Sequence, residues 1–374
     1  MVKLLLTGDF CPINKIEDVY LKGSAINPFL EFRKEFKDID LHITNLECPL
    51  TDHLSPISKN GPNLAASTRA VGALKEAKVD VACLANNHIL DHGSTALLNT
   101  IDVCTANGIK TVGAGKNIEQ ASKILYLNVK GKKIALVNLA ENEFTIANKL
   151  MAGANPLSIT QGFKQVKEAE RNSDFVIVII HGGNEFYKYP SPRMVETYRF
   201  FAENGASVVV GHHTHCISGY EIYNNIPIFY SLGNFVFDWK NKRHKSWYSG
   251  IALNLFIKDD NKVEFRIKPF SQNDGFVGIK FLDPEEENTI LEEIFEINKV
   301  IINQDLLEKE WNQFCYKMGP YYLSTIFNLS RIERKLLKLK FFSNIFIKGN
   351  RKIKTLNMIQ CEAHKDILLN LLNK

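Results

Sequence analysis

Over its first 240 residues the chain alternates short apolar runs with longer amphipathic stretches. Runs of period 2 or continuous Val/Ile/Leu, broken by segments of helical spacing, predict the β and α units of a layered α/β fold. Strands are expected at about 2–7, 39–44, 79–84, 109–113, 123–129, 132–139, 174–180 and 206–210, and further on at about 217–222, 226–231, 250–257 and 262–268. Helices are expected at about 64–77, 94–107, 158–171 and 191–204. Two short turns, Lys130-Gly131 and Asn224-Asn225, predict hairpins, because each holds residues tolerant of positive φ. The sheets should therefore be mixed rather than purely parallel.

After about residue 280 the pattern changes. Asp283-Pro284 followed by Glu285, Glu286 and Glu287 has the form of a helix start with acids in its first turn, and apolar residues recur at helical spacing to about 316. The expected organisation is one domain over 1–278 and a mainly helical extension over 279–374.

Composition alters this picture little. The 374 residues are 45% hydrophobic and 23% charged, enough to bury a core without covalent staples. A net charge of +5 is too mild to argue for nucleic acid. The seven cysteines form no Cys-x-x-Cys pair, which argues against finger-type zinc or a disulfide framework and for reduced thiols. The N-terminal apolar run, five or six residues long, is short for a signal peptide. A cytoplasmic location, peripheral at most to the inner face of the membrane, is expected.

Five of the apolar runs end in polar clusters: Gly8-Asp9, Asn45-Leu46-Glu47, Asn86-Asn87-His88 with Asp91 beyond, His181-Gly182-Gly183-Asn184-Glu185, and Gly211-His212-His213-Thr214-His215. Ligand and catalytic groups of α/β folds gather outside the carboxyl ends of strands, so five such ends can build one site. Imidazole, carboxylate and amide oxygen without cysteine suit one or two divalent ions, with Mn, Fe or Zn preferred. Two ions about 3.5–4 Å apart can activate a water and stabilise a leaving oxygen. A histidine outside the ligand set can move a proton near neutral pH.

In this order, Gly8-Asp9, Asn45-Leu46-Glu47-x-Pro49-Leu50-Thr51, Ala85-Asn86-Asn87-His88-x-x-Asp91-x-Gly93, Gly113-Ala114-Gly115, His181-Gly182-Gly183-x-Glu185, Gly211-His212-His213-x-His215 and Tyr230–Asp238 resemble the CapA family of capsule synthesis proteins. That family is named for poly-γ-glutamate synthesis and is similar to calcineurin-like metallophosphoesterases. The resemblance implies a metallophosphoesterase-like sandwich of mixed sheets flanked by helices. It also implies Asp9, Glu47, Asn87, His181, His213 and His215 as metal ligands, with Glu47 in the bridging position. His88 is implied as proton donor to the leaving group, with Asp91 beside it as a catalytic residue. Asn45, Glu185, His212 and Asn234 are implied as substrate contacts or partners of the ligands, and Asp238 is a further candidate partner of a ligating histidine. The chain departs from the phosphoesterase pattern at Asp9-Phe10-Cys11, where the first motif ends in histidine, at Asn45-Leu46-Glu47 in the second motif, and at Gly182, where the family carries tryptophan.

Two functions from different classes follow. One is a metal-dependent hydrolase of phosphoesterase type, acting on a small-molecule or polymer substrate in bacterial surface-polymer synthesis. The other is a non-hydrolytic accessory subunit working with membrane proteins of a capsule polymer synthase. Residues 331–354 hold nine Lys or Arg and one acid among interleaved apolar residues. Such a helix can lie on an anionic membrane surface or pack on the domain with a solvated basic face.

Overall fold

The computed structural model describes residues 1–326, 350–361, 363–364 and 366–368. Numbered along the chain, its strands are β1 (Val2–Cys11), β2 (Leu41–Leu46), β3 (Val81–Cys83), β4 (Lys110–Val112), β5 (Ala114–Gly115), β6 (Leu125–Val129), β7 (Lys132–Ala140) and β8 (Gly153–Ala154). There follow β9 (Phe175–His181), β10 (Val208–His212), β11 (Tyr220–Tyr223), β12 (Ile226–Phe229), β13 (Asn234–Phe237), β14 (Ser249–Ile257), β15 (Val263–Gln272) and β16 (Ile279–Phe281). One sheet runs β16-β15-β14-β1-β2-β3-β4 with β13 also paired to β1; a second runs β11-β12-β10-β9-β7-β6; β5 and β8 form a small ribbon.

Side-chain alternation along the strands builds three apolar layers. Leu4 and Leu6 of β1 share a buried cluster with Ile177 and Ile179 of β9, so the two sheets pack face to face. Leu5, between them, turns to the opposite face, among Phe32, Leu74 and Leu97 from the helices that cover the first sheet. Val176, Val178 and Ile180 face outward from the second sheet against Val166, Tyr198 and Phe201 of its helices. The result is the expected layered α/β sandwich of mixed sheets with helices on the outside.

Local chemistry starts the covering helices. Ser158 and Ser191 accept from the backbone N–H of Gln161 and Met194 at the heads of Ile159–Asn172 and Pro192–Glu203. Asp283 accepts from Glu285 and Glu286 at the head of Pro284–Ile301, where Pro284 occupies the first turn. Both hairpins form, with Lys130, Gly131, Asn224 and Asn225 all at positive φ.

The helix expected over 64–77 starts later. Residues 64–67 are held extended, with the Leu64 N–H on the Asp91 carboxylate (2.7 Å) and Ala66 paired to Pro49 and Thr51; Ser67 then caps a short turn that leads into the helix Val71–Glu76. Tertiary hydrogen bonds here override helical spacing. The helices Lys15–Lys22 and Leu30–Glu35, and the strand β16, were not expected from pattern alone.

The chain folds as two compact units, Met1–Glu308 and Lys309–Lys374. The helix Pro284–Ile301 buries Ile294, Ile297 and Ile301 within the first unit, and its Asn298 Oδ1 accepts from the Tyr220 N–H at 2.7 Å. The second unit contains most of the helix Gln304–Ile326, together with the helix Asn350–Gln360. Of the basic stretch 331–354, residues 331–349 lie outside the described residues. No helix among the described residues is long and apolar enough to cross a membrane.

What positions the site is the direction of the strands. β1, β2, β3 and β4 run parallel to one another, as do β7, β9, β10 and β12. The carboxyl ends of β1, β2 and β3, and of β9 and β10, thus carry the five polar clusters.

His42, at the start of β2, is buried, with Nδ1 3.0 Å from the Ala77 carbonyl and Nε2 2.9 Å from the Thr7 hydroxyl. Burial pulls its pKa from the ordinary 6.5 down to about 4. Because the unfolded chain takes up this proton first, His42 contributes its stability above pH 6.5 and loses it as pH falls towards 4, on the order of 3 kcal/mol in all. Urea unfolding of native and His42→Gln protein should show a stability gap at pH 7 that shrinks by about that amount by pH 4. A gap independent of pH would contradict a neutral buried His42.

Candidate metal centre

Asp9 lies in β1 beside β13, in register with Asn234. The approach needs Gly8: a Cβ there would fall 1.8 Å from the Gly233 carbonyl oxygen, which accepts from the Asp9 N–H at 3.1 Å. On the other side of β1, the Asn45 amide of β2 donates to Asp9 Oδ1 at 2.8 Å. From across the sandwich, the His213 N–H donates to Asp9 Oδ2 at 3.0 Å. Burial works to raise the Asp9 pKa, yet the His212 imidazole beside it outweighs this and holds the carboxyl well below the ordinary carboxylate range.

Glu47 follows β2 and is fully buried, and neither of its carboxylate oxygens has a hydrogen-bond partner. Its Oε1 lies 3.5 Å from His181 Nε2 and 3.6 Å from His215 Nε2. Burial, followed by the neighbouring carboxylates Asp9 and Glu185, pushes its pKa well above the usual value. Burial also keeps His181 and His215 neutral, lowering both, and His213 adds to this at each.

His215 shows what the neutral imidazoles present to Glu47. Asn234 donates its amide to the Trp247 carbonyl (3.0 Å), so its Oδ1 accepts from His215 Nδ1–H at 2.9 Å. That tautomer leaves a lone pair on Nε2, the atom nearest Glu47. A lone pair facing an unpartnered carboxylate oxygen is repulsive unless a cation or a proton stands between them.

Among the described residues, two groups of three have potential ligand atoms within 4.8 Å of one another: Glu47, His181 and His213, and Asp9, Glu47 and His215. Both contain Glu47. Asn87 adds an amide oxygen 3.0 Å from His181 Nε2, and His213 Nδ1 lies 3.1 Å from the same nitrogen. The donor set, imidazole with carboxylate and amide oxygen and no thiolate, is compatible with a divalent metal ion. His213 and His215 reach the cluster from backbone at positive φ, 93° and 52°, a conformation disfavoured for side-chain-bearing residues and found where a site over-determines it.

The remaining expected residues take distinct places. Asn45 also lies 3.2 Å from His181 Nδ1. His212 Nδ1 sits 3.4 Å from Asp9 Oδ1 with no hydrogen-bond partner, and so brings an imidazole to Asp9 where the sequence has Cys11 instead of histidine. Cys11 itself is buried; burial, and then Cys48 beside it, raises its pKa well above the ordinary thiol value and keeps it neutral. Glu185 is exposed and falls in neither three-residue group. Asp238 does not reach a histidine: its carboxylate accepts from the Lys15 N–H at 2.9 Å, because the helix Lys15–Lys22 begins against it.

His88 and Asp91 form a separate pair beside the cluster, with His88 Nδ1 2.6 Å from Asp91 Oδ2. Asp91 is fully buried, and committing Nδ1 to it leaves Nε2 for exchange with a ligand. Pattern reading missed Lys59. Its side chain is 3% exposed, pairs with Asp91, and lies 3.2 Å from His88 Nδ1 and 3.3 Å from the Asn87 carbonyl. It comes from the polar loop 51–63, where no periodicity or motif marks a buried lysine. Asn138 was also missed. It ties Ala85 to Ile179 across the sheets, and Gly113 (φ +91) leaves room for it, since a Cβ there would lie 2.1 Å from Asn138 Oδ1.

Together, fold and site define a layered α/β protein with a buried histidine–carboxylate–amide cluster compatible with divalent metal. Sequence comparison places it more narrowly. Residues 3–239 match the family described as bacterial capsule synthesis protein PGA_cap, and the chain belongs to that family. A capsule biosynthesis protein CapA of Bacillus anthracis is 29% identical over 281 residues, covering 73% of this chain and 68% of the relative. A probable polyglutamine synthesis accessory protein of Mycobacterium tuberculosis is 28% identical over 197 residues, 49% of this chain and 52% of the relative. Among solved structures, a 5'-nucleotidase precursor from Thermus thermophilus is similar at a TM-score of 0.43 and 15% identity, covering 79% of this chain and 57% of that one. A likeness that distant carries no argument about what this chain does.

If Asn234 holds His215 in its ligating tautomer, Asn234→Ala should weaken retention of a divalent ion about 10–100-fold in competition with a chelating dye. Affinity equal to native would contradict that role.

Proposed function

We propose that this protein is a metal-dependent hydrolase of phosphoesterase type that works in the synthesis of a bacterial capsule or surface polymer of the poly-γ-glutamate kind. The observation that carries the metal reading is Glu47, a buried carboxylate without a hydrogen-bond partner, flanked by the imidazole nitrogens of His181 and His215. Glu47 belongs to both three-residue groups, so it would serve each of two ions. Asp9, His215 and Glu47 would hold one; Glu47, His181 and His213, with Asn87, the other. Ions held there would supply Lewis-acid polarisation of a phosphoryl oxygen and a lowered water pKa. The capsule pathway is supported by membership of the PGA_cap family and by the CapA relative.

In this reading the chain's own residues divide the remaining work. Asn45 orients Asp9 and Asn234 orients His215. His88 carries the proton delivered to the leaving oxygen at Nε2, held in place through Nδ1 by Asp91. Lys59 pairs with Asp91 and keeps that carboxylate in position against His88. The residues up to about 278 would form the metal-bearing domain, and 279–374 a helical extension. A cytoplasmic location at the inner membrane face would bring it to membrane proteins of the polymer machinery.

A second reading, a non-hydrolytic accessory subunit, is favoured by the name of the mycobacterial relative and by Cys11 in place of the first-motif histidine. Metal content and turnover separate the two. Elemental analysis should find about one or two equivalents of Mn, Fe or Zn, lost in a His213→Ala, His215→Ala double variant. His88→Ala should keep the metal and lose phosphoester turnover by about 10²–10⁴-fold. Metal without turnover on any phosphoester, in native and variant alike, would leave the accessory reading in front, and a metal-free native protein after supplementation would sink the hydrolase.

A further inference from the structure

Beside the cluster lies a feature that the hydrolase reading does not use. Residues 239–248, between β13 and β14, contain the four cations Lys240, Lys242, Arg243 and Lys245 and no acid. The lysines are exposed, as basic loop residues usually are. Arg243 is not like them. Its guanidinium carbon lies 4.5 Å from the ring centre of Trp239, 5.1 Å from Trp247 and 6.0 Å from Phe186, and its Nε is buried with no hydrogen-bond partner. Aromatic faces fix a guanidinium by cation–π attraction without consuming its in-plane donors.

The same rings wall the metal cluster. Trp247 is 4.8 Å, ring centre to ring centre, from His215, and Phe186 is 6.2 Å from it. Arg243 and His215 therefore share the Trp247 wall. Phe186 stands at the rim, 45% exposed, on strained backbone at φ 60°. Asp238, the acid adjacent to the loop in sequence, is tied to Lys15, and no ion pair to Arg243 occurs among the described residues.

We infer that residues 239–247 form a docking subsite for an anionic polymer chain, with Arg243 taking one carboxylate and the flanking lysines the next ones along, beside the metal cluster. A planar guanidinium with free donors recognises a carboxylate in two-point fashion. Cations strung along a loop suit a chain of repeated charges better than a single ion. The choice of a carboxylate chain rests on the proposed polymer pathway; the anion subsite itself rests on the geometry.

The test is binding, not turnover, and so stands apart from the hydrolase reading. The full-length chain carrying Trp311→Phe leaves Trp239 and Trp247 as its only tryptophans. With chelator present, so that carboxylates cannot report through a metal, it is titrated with oligo-glutamate, oligo-glutamine of equal length, and inorganic polyphosphate. Oligo-glutamate should change tryptophan emission saturably, with affinity falling as salt rises. Arg243→Ala should weaken binding at least about tenfold and Arg243→Lys should restore it only in part. Gln at Lys240, Lys242 and Lys245 together, all at exposed positions, should weaken binding and flatten its salt dependence. No saturable change, equal affinity for oligo-glutamine, or affinity unaltered by both the Arg243→Ala and the triple-lysine variants would each overturn the subsite. Arg243-dependent binding of polyphosphate without binding of oligo-glutamate would overturn the carboxylate assignment.

Discussion

Glu47 is buried without a hydrogen-bond partner, and the neighbouring atoms that could answer its charge are imidazole nitrogens that burial keeps neutral. An uncompensated carboxylate in such a place is costly and takes up a proton or gains a cation. Much of the surrounding architecture serves this one placement. Gly8 lets β13 close on β1, which brings Asn234 to His215; two histidines accept disfavoured backbone angles to face the carboxylate; and the parallel strands deliver their ends to the same edge. The interior of a sandwich of purely apolar layers would not need any of these.

The second constraint is separation of labour. Ligand candidates and proton-handling candidates come from adjacent residues, Asn87 and His88, but their contacts diverge. Asn87 turns to His181, whereas His88 is held by Asp91, and Lys59 spans the two through Asp91 and the Asn87 carbonyl. One tight turn after β3 thus feeds two chemically different neighbours. The aromatic wall of Trp247 and Phe186 marks a third, on the His215 side.

The layered fold, its hairpins and its principal helices were legible because apolar period and cap residues are local: Ser158, Ser191 and Asp283 act within three residues of themselves. The five strand-end clusters were legible for the same reason, and the structure brings Asp9, Glu47, Asn87, His181, His213 and His215 to one place. What was not legible is set by long-range partners. Residues 64–67 read as helix but are pulled straight by Asp91 and the Pro49–Thr51 strand. The pairing of β13 with β1, more than two hundred positions away in sequence, leaves no local mark. Lys59 and Arg243 look like ordinary polar loop residues until the loops fold back, and Asp238 was misplaced because nothing local shows that Lys15 claims it.

The most direct measurement is the thermal stability of native protein and Glu47→Gln, each in chelator and each with a divalent ion. If Glu47 is buried to hold a cation, the neutral variant should be at least as stable as native in chelator, while the ion should raise the native melting temperature and leave the variant nearly unmoved. An ion that stabilises both equally, or neither, would contradict the account.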